Sequence, residues 1–220
     1  MFSTSSPLGK FLSKLLRKLL DLFLLQIYFL LTSIPVFTIG AGLTAMFTVC
    51  RRIQDEEHVS VTGQYFSAFK VSFRQSTAAW LLMGLSGALL VLSVRYYSQL
   101  ESTWRVLPIG VACLLLVIDI ALFIYFFPLT AWFDNSLKQH FRNAAVLAVY
   151  HWKTTLLTAL LYAFVFLAAV RAVPFLLLIS VSGCAFYANM LLRNVFAQHD
   201  AEVNPVRNEE NEELTEKSDL

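Results

Sequence analysis

One carboxylate stands where water should be scarce. Asp119 lies between Val117-Ile118 and Ile120-Ala121, inside the apolar run Val106 to Phe127. A charged side chain at the centre of a bilayer costs about 2.5–3.5 kcal/mol on insertion scales, so it should face protein and be paired or neutralised. Two chemistries are open to it. It contacts a proton, a cation or a substrate, or it is a buried acid bonded to Tyr125, Gln26, Asn189 or a hydroxyl on a neighbouring helix.

The second candidate is a backbone feature. Ile34-Pro35-Val36-Phe37-Thr38-Ile39-Gly40-Ala41-Gly42 interrupts a long apolar stretch. Pro35 has no N–H and disfavours helix at the residue before it, and Gly40 and Gly42 relax the chain. Such a break frees backbone carbonyls and amides at membrane depth, where proteins bind ions or polar ligands with them. The plainer alternative is a turn in which Thr32, Ser33 and Thr38 satisfy the broken backbone. Other chemistry is poorly represented. His140 and His151 are not at metal-ligand spacing, no GxGxxG or Walker run is present, and no Ser/His/Asp set suggests itself. Cys50, Cys113 and Cys184 have no close pair and read as small apolar residues. No enzymatic activity, metal or cofactor is expected.

The elements that must hold these residues are membrane helices. Hydrophobic residues make up 57% of the 220, charged residues only 15%, and the mean hydropathy is +0.63. A soluble domain carries about 25% charged residues, and a water-exposed surface this apolar would aggregate. An all-α, polytopic transmembrane bundle is therefore expected over 1–196, with a mostly disordered acidic tail at 197–220. Leu19 to Cys50 would be about 48 Å long as one helix, against a hydrocarbon core of about 30 Å. Hence it reads as two short helices meeting at Pro35, either a tight hairpin or a re-entrant pair. Further runs near spanning length are Ser76–Val94, Val106–Phe127, Thr154–Val170 and Val173–Leu192, giving about five to six membrane segments. Arg51 to His58 reads as a charged turn.

Two amphipathic helices are expected at the interface. In Ser60–Gln75, Tyr65, Phe66, Phe69 and Phe73 fall near one face, with Lys70 and Arg74 at its edge. In the stretch around Phe133–His151, Pro128, Phe133, Lys138, Phe141, Arg142 and Asn143 form the second. The basic residues orient the chain. If Leu19–Cys50 enters and returns, 14 of the 17 lysines and arginines share one side, and only Arg95, Arg105 and Arg171 lie opposite. That side is the cytoplasm, which places both termini there. A shift of 68 residues aligns Phe69–Gln75 with Leu137–Asn143, a weak parallel repeat in which each copy precedes an inside-to-outside span. No basic stripe remains for nucleic acid.

Several of these segments resemble the YesL-like family of bacterial integral membrane proteins. The residues are Ser33-Ile34-Pro35-Val36-Phe37-Thr38-Ile39-Gly40-Ala41, Thr44-Ala45, Tyr65-Phe66-Ser67-Ala68-Phe69-Lys70, and Phe127-Pro128-Leu129-Thr130-Ala131-Trp132-Phe133-Asp134-Asn135-Ser136-Leu137-Lys138 with Asn143-Ala144. The resemblance covers roughly residues 15 to 195, and Trp132 stands where the family carries a basic residue. It implies a plasma-membrane protein of no established activity, found alongside carbohydrate-utilisation and sugar ABC-import systems. From it follows the expectation of a non-enzymatic accessory or partner of a sugar importer or sensor, docking through the two amphipathic helices. A small-solute or ion transporter using Asp119 and the Pro35–Gly42 break is the competing expectation. The oligomeric state is not legible.

Overall fold

The computed structural model describes residues 7–55, 60–101, 103–172 and 177–203. Among them are seven α-helices and no strand: α1 Pro7–Thr32, α2 Ile39–Gln54, α3 Val61–Ser98, α4 Val106–Trp132, α5 Leu137–Tyr150, α6 Trp152–Ala172 and α7 Leu177–Val203. Single 3₁₀ turns, Val36–Thr38 and Thr103–Arg105, precede α2 and α4. Among the described residues, three stretches are long and apolar enough to cross a membrane: Val36–Gln54, Val61–Ser98 and Val106–Trp132. A fourth is reached if α5 and the first part of α6, bent by 99°, count as one span. The sequence led us to expect five to six. The architecture is that of an α-helical membrane protein.

The chain reverses at Pro35. Phe29 of α1 lies against Gly42 of α2, so the two helices run back along each other. The turn closes its own hydrogen bonds. The Thr38 amide donates to the Pro35 carbonyl at 2.9 Å, and the Thr38 hydroxyl reaches the carbonyls of Pro35 (2.6 Å) and Thr32. The outer side of the turn is apolar and exposed, at Ile34, Val36 and Phe37.

Helix α2 is the hub. It packs on α1, α3, α4 and α7, and 67% of its apolar window is buried. Its small residues explain this. Gly40, Ala41, Gly42, Thr44 and Ala45 are all buried, and small side chains let helix backbones approach closely where lipid gives no hydrophobic push. A Cβ on Gly40 would sit 2.3 Å from the Ser76 carbonyl oxygen and 2.6 Å from the Trp80 Cβ. The core continues through Leu25 and Phe29 of α1, Met46 and Val49 of α2, Tyr65 of α3, Phe126 and Phe127 of α4, and Ala188 of α7.

Helix α3 differs from expectation. The amphipathic helix Ser60–Gln75 and the span Ser76–Val94 are one helix of 38 residues, about 57 Å long. The polar residues at the expected boundary are satisfied by neighbours rather than by a turn. Gln75 Nε2 donates to the Asn135 carbonyl (3.0 Å), and the Ser76 hydroxyl pairs with Thr44 (2.8 Å). Arg51 and Arg52 likewise belong to the last turn of α2 instead of a loop. The far half of α3 and the facing half of α4 leave the body as a two-helix arm, with only 11% of each apolar window buried.

Beyond the arm, α5 starts with a capping box between Ser136 and Gln139, which satisfies two of the amides a helix start leaves open. Helix α7 continues to Val203, past the expected end of the membrane domain at 196. The acidic tail from residue 204 onward, and residues 56–59, on which part of the charged turn expected at Arg51–His58 falls, lie outside the described residues.

Candidate functional site

The four residues singled out as an intramembrane polar cluster do not meet. Asp119 belongs to the arm. Its Oδ1 accepts a hydrogen bond from Ser86 of α3 at 2.9 Å, and its Oδ2 lies beside Gly87. A hydroxyl on the neighbouring helix is therefore its partner, not Tyr125, Gln26 or Asn189. The fully buried Tyr125 pairs with Thr155 of α6 at 3.1 Å. Gln26, also fully buried, accepts from the Ser182 amide of α7 at 2.8 Å. Asn189 ties the end of α4 to the middle of α2: its Oδ1 accepts from the Trp132 indole at 2.8 Å, and its Nδ2 donates to the Phe47 carbonyl at 3.4 Å. Each bond joins two helices and closes locally.

The Pro35–Gly42 break is likewise occupied by its own groups, as described above. Thr32 donates to the Tyr28 and Phe29 carbonyls of its own helix (2.9 and 3.2 Å). Its single proton is thereby used, so Tyr65 donates to it across the 2.6 Å contact. The Thr38 hydroxyl closes the turn, whereas the Ser33 hydroxyl is buried with no partner among the described residues.

The aromatic faces expected to dock partners are mostly core. Tyr65 is fully buried and stacked between Tyr28 and Phe69. Phe66 lies against Tyr28, and Phe141 against Phe126. Pro128 is buried inside α4 between Phe127 and Leu129. Phe133 packs on Phe196. What remains exposed is Lys70, Phe73, Arg74, Lys138 and Arg142, with Asn143 half-buried. The physical reason is that α1, laid alongside α3, covers the aromatic face that a lone interfacial helix would leave to lipid. His140 is buried against Phe126, whereas His151 caps the end of α5 beside Tyr150.

A site the sequence reading missed lies between α2, α3 and the end of α4. It is a cavity of about 500 Å³, adjoining a cleft of about 450 Å³ that shares Arg51, Arg52 and Trp132 and adds Asp55. From α2 come Thr44, Thr48 and Arg51, whose i, i+4, i+7 spacing puts them on one helical face. That spacing was the signal available beforehand. Helix α3 contributes Gln64, Ser67 and Ser72, and the end of α4 contributes Thr130 and Trp132, followed by Asp134. The Arg51 guanidinium donates to the Trp132 carbonyl at 3.3 Å and lies 5.1 Å from the centre of its indole ring. Arg52, half-buried, has no partner among the described residues. Asp55 is engaged by Arg193 at 3.2 Å. The result is a polar chamber with paired arginines at one end.

Residues 22–94 match the model of a family described as a protein of unknown function, DUF624. The match takes in roughly a third of the chain. It runs from the second half of α1, through the break and α2, to the end of the uncharged part of α3. No curated protein and no solved structure matches the chain. The DUF624-matching segment thus contains the Pro35 turn, both arginines and the α3 wall of the cavity, whereas Asp119 and Trp132 lie outside it.

Proposed function

We propose that this chain is a YesL-like integral membrane protein that works without catalysis, as an accessory or partner of a bacterial sugar ABC importer or sensor. The observation that carries the partner reading is the arm. Two helices cannot wall a pathway between them, and the arm's apolar surface is almost wholly free for contact in the bilayer. The sugar-import part of the reading comes from the family resemblance. The exposed face the chain would dock through is drawn from Lys70, Phe73 and Arg74 of α3 and Lys138 and Arg142 of α5. This face is assigned to the cytoplasm with both termini, because basic residues concentrate there.

The first segment fits a re-entrant pair. Residues 75–94 of α3 carry no charge and are bracketed by Arg74 and Arg95. Twenty residues at 1.5 Å rise give about 30 Å, the thickness of the hydrocarbon core. Gly40, at the turn, packs against Ser76 and Trp80. The break therefore enters about one helical turn past the boundary that Arg74 marks, and returns.

Transport through Asp119 has less to stand on, since Asp119 is bonded to Ser86 away from Tyr125, Gln26 and Asn189. Two measurements test the choice. After crosslinking and purification from native membranes, a sugar-importer permease or a membrane sensor is expected to accompany the protein; a preparation without either overturns the accessory reading. Asp119→Asn keeps the acceptor for Ser86 and is expected to leave that assembly intact. Loss of a proton- or cation-coupled flux in the same variant would instead favour transport.

A further inference from the structure

The chamber between α2, α3 and α4 has a donor end and an acceptor wall. At the donor end stand Arg51, held by the Trp132 carbonyl and ring, and Arg52, which has no partner among the described residues. Guanidinium groups present planar forks of N–H donors that match phosphate oxygens. The nearest described acid of the adjoining cleft, Asp55, is taken by Arg193. Glu56 and Glu57, which follow Asp55 in the sequence, lie outside the described residues.

Away from the arginines the chemistry inverts. Thr48, Ser72 and Thr130 each donate to a carbonyl of their own helix, at Thr44 (2.9 Å), Ala68 (2.8 Å) and Phe126 (2.8 Å). A hydroxyl has one proton and two acceptor positions, so these three offer the chamber lone pairs. The Asp134 carboxylate stands exposed on the rim. Inorganic phosphate brings at most two O–H donors at neutral pH, both on the group that the arginines would hold. A ligand suited to both ends carries a negative oxyanion and several hydroxyl groups.

We propose that this cavity binds a phosphorylated polyol, with its phosphate on Arg51 and Arg52 and its hydroxyls donating to the Thr48, Ser72 and Thr130 wall. A chamber of about 500 Å³ falls within the usual range for small-molecule sites, about 300–1,000 Å³. The same chemistry occurs in a soluble phosphopolyol and in a glycerophosphate lipid headgroup. The inference stands apart from the accessory role, because it rests on α2, α3 and α4 alone.

The test uses the full chain in detergent and in nanodiscs. Calorimetric titration with glycerol 3-phosphate is compared with inorganic phosphate, and native mass spectrometry counts lipids retained from phosphatidylcholine discs with and without phosphatidylglycerol. Binding of glycerol 3-phosphate at least tenfold tighter than phosphate identifies a soluble ligand. Selective retention of phosphatidylglycerol, without soluble binding, identifies the headgroup. Arg52→Ala should weaken either by at least tenfold, with Arg52→Lys recovering part of the loss, while the helical circular dichroism stays that of the parent. Equal affinity for inorganic phosphate overturns the acceptor-wall half of the proposal. Absence of binding in both media, or binding unchanged in Arg52→Ala, overturns it altogether.

Discussion

Gly40 shows how much a single hydrogen atom can decide. Its Cα faces the Ser76 carbonyl and the Trp80 Cβ, both too close for any added carbon. Those atoms belong to backbone and to the root of a side chain, so nothing flexible can yield. Gly40→Ala is expected to destabilise the protein by about 1–3 kcal/mol, the usual cost of overpacking. Denaturant unfolding in detergent, followed by circular dichroism, reads this directly. Tyr65 offers a graded comparison. Tyr65→Phe removes the hydrogen bond to Thr32 and should cost about 1 kcal/mol, because Thr32 keeps the carbonyls of its own helix. Tyr65→Ala also empties a fully buried site and should cost about 3–5 kcal/mol. Equal effects of the two variants would mean that the ring carries little of the packing assigned to it here. At this scale the sequence was only partly legible. It exposed Asp119 and the Pro35 break as unusual, because an acid or a proline in an apolar run stands out. It could not say which partners Asp119, Gln26 and Tyr125 find, since Ser86, Ser182 and Thr155 are brought close only by the tertiary fold.

Helix α3 illustrates what pattern reading misses among elements. The change from amphipathic to uniformly apolar at Gln75–Ser76 was read as a boundary between two helices. Yet the stretch around it has no proline, and its polar side chains are answered by Thr44 and Asn135. Composition changed there because the environment changes, not because the backbone does. Gln75→Pro gives this a direct test: breaking the helix interior should cost about 3 kcal/mol or more. If two separate helices met at that position, the proline would be nearly neutral. The Pro35 break was readable for the opposite reason, since proline and glycines act on the backbone itself. The aromatic stripe Tyr65–Phe73 had the right spacing for a face, but spacing cannot tell a lipid-facing stripe from one covered by another helix. Here α1 supplies the cover, through Tyr28 and Phe29.

Across the whole molecule, depth is the quantity to measure. With the native cysteines replaced, a nitroxide placed at Phe37→Cys should report a position near the interface. One at Leu85→Cys, midway along the uncharged part of α3, should lie deeper by collision with oxygen against a polar relaxant. Both positions are exposed, so neither label must displace the core. Equal depths would mean that the break reaches the bilayer midplane instead of turning back near the interface. The overall class was legible from composition alone, because 57% hydrophobic residues leave no soluble alternative. The arrangement was not, since a hub helix and a free arm share the same apolar signature and differ only in what surrounds them.

The unbroken course of α3 also ties together two regions that would otherwise be mechanically independent. Its foot lines the polar chamber and its far end forms the arm. For a stiff rod of about 57 Å, a swivel of about 5° at the foot carries the tip sideways by about 5 Å. Any shift in how the foot seats on α2 is thus magnified into lateral travel within the plane of the bilayer.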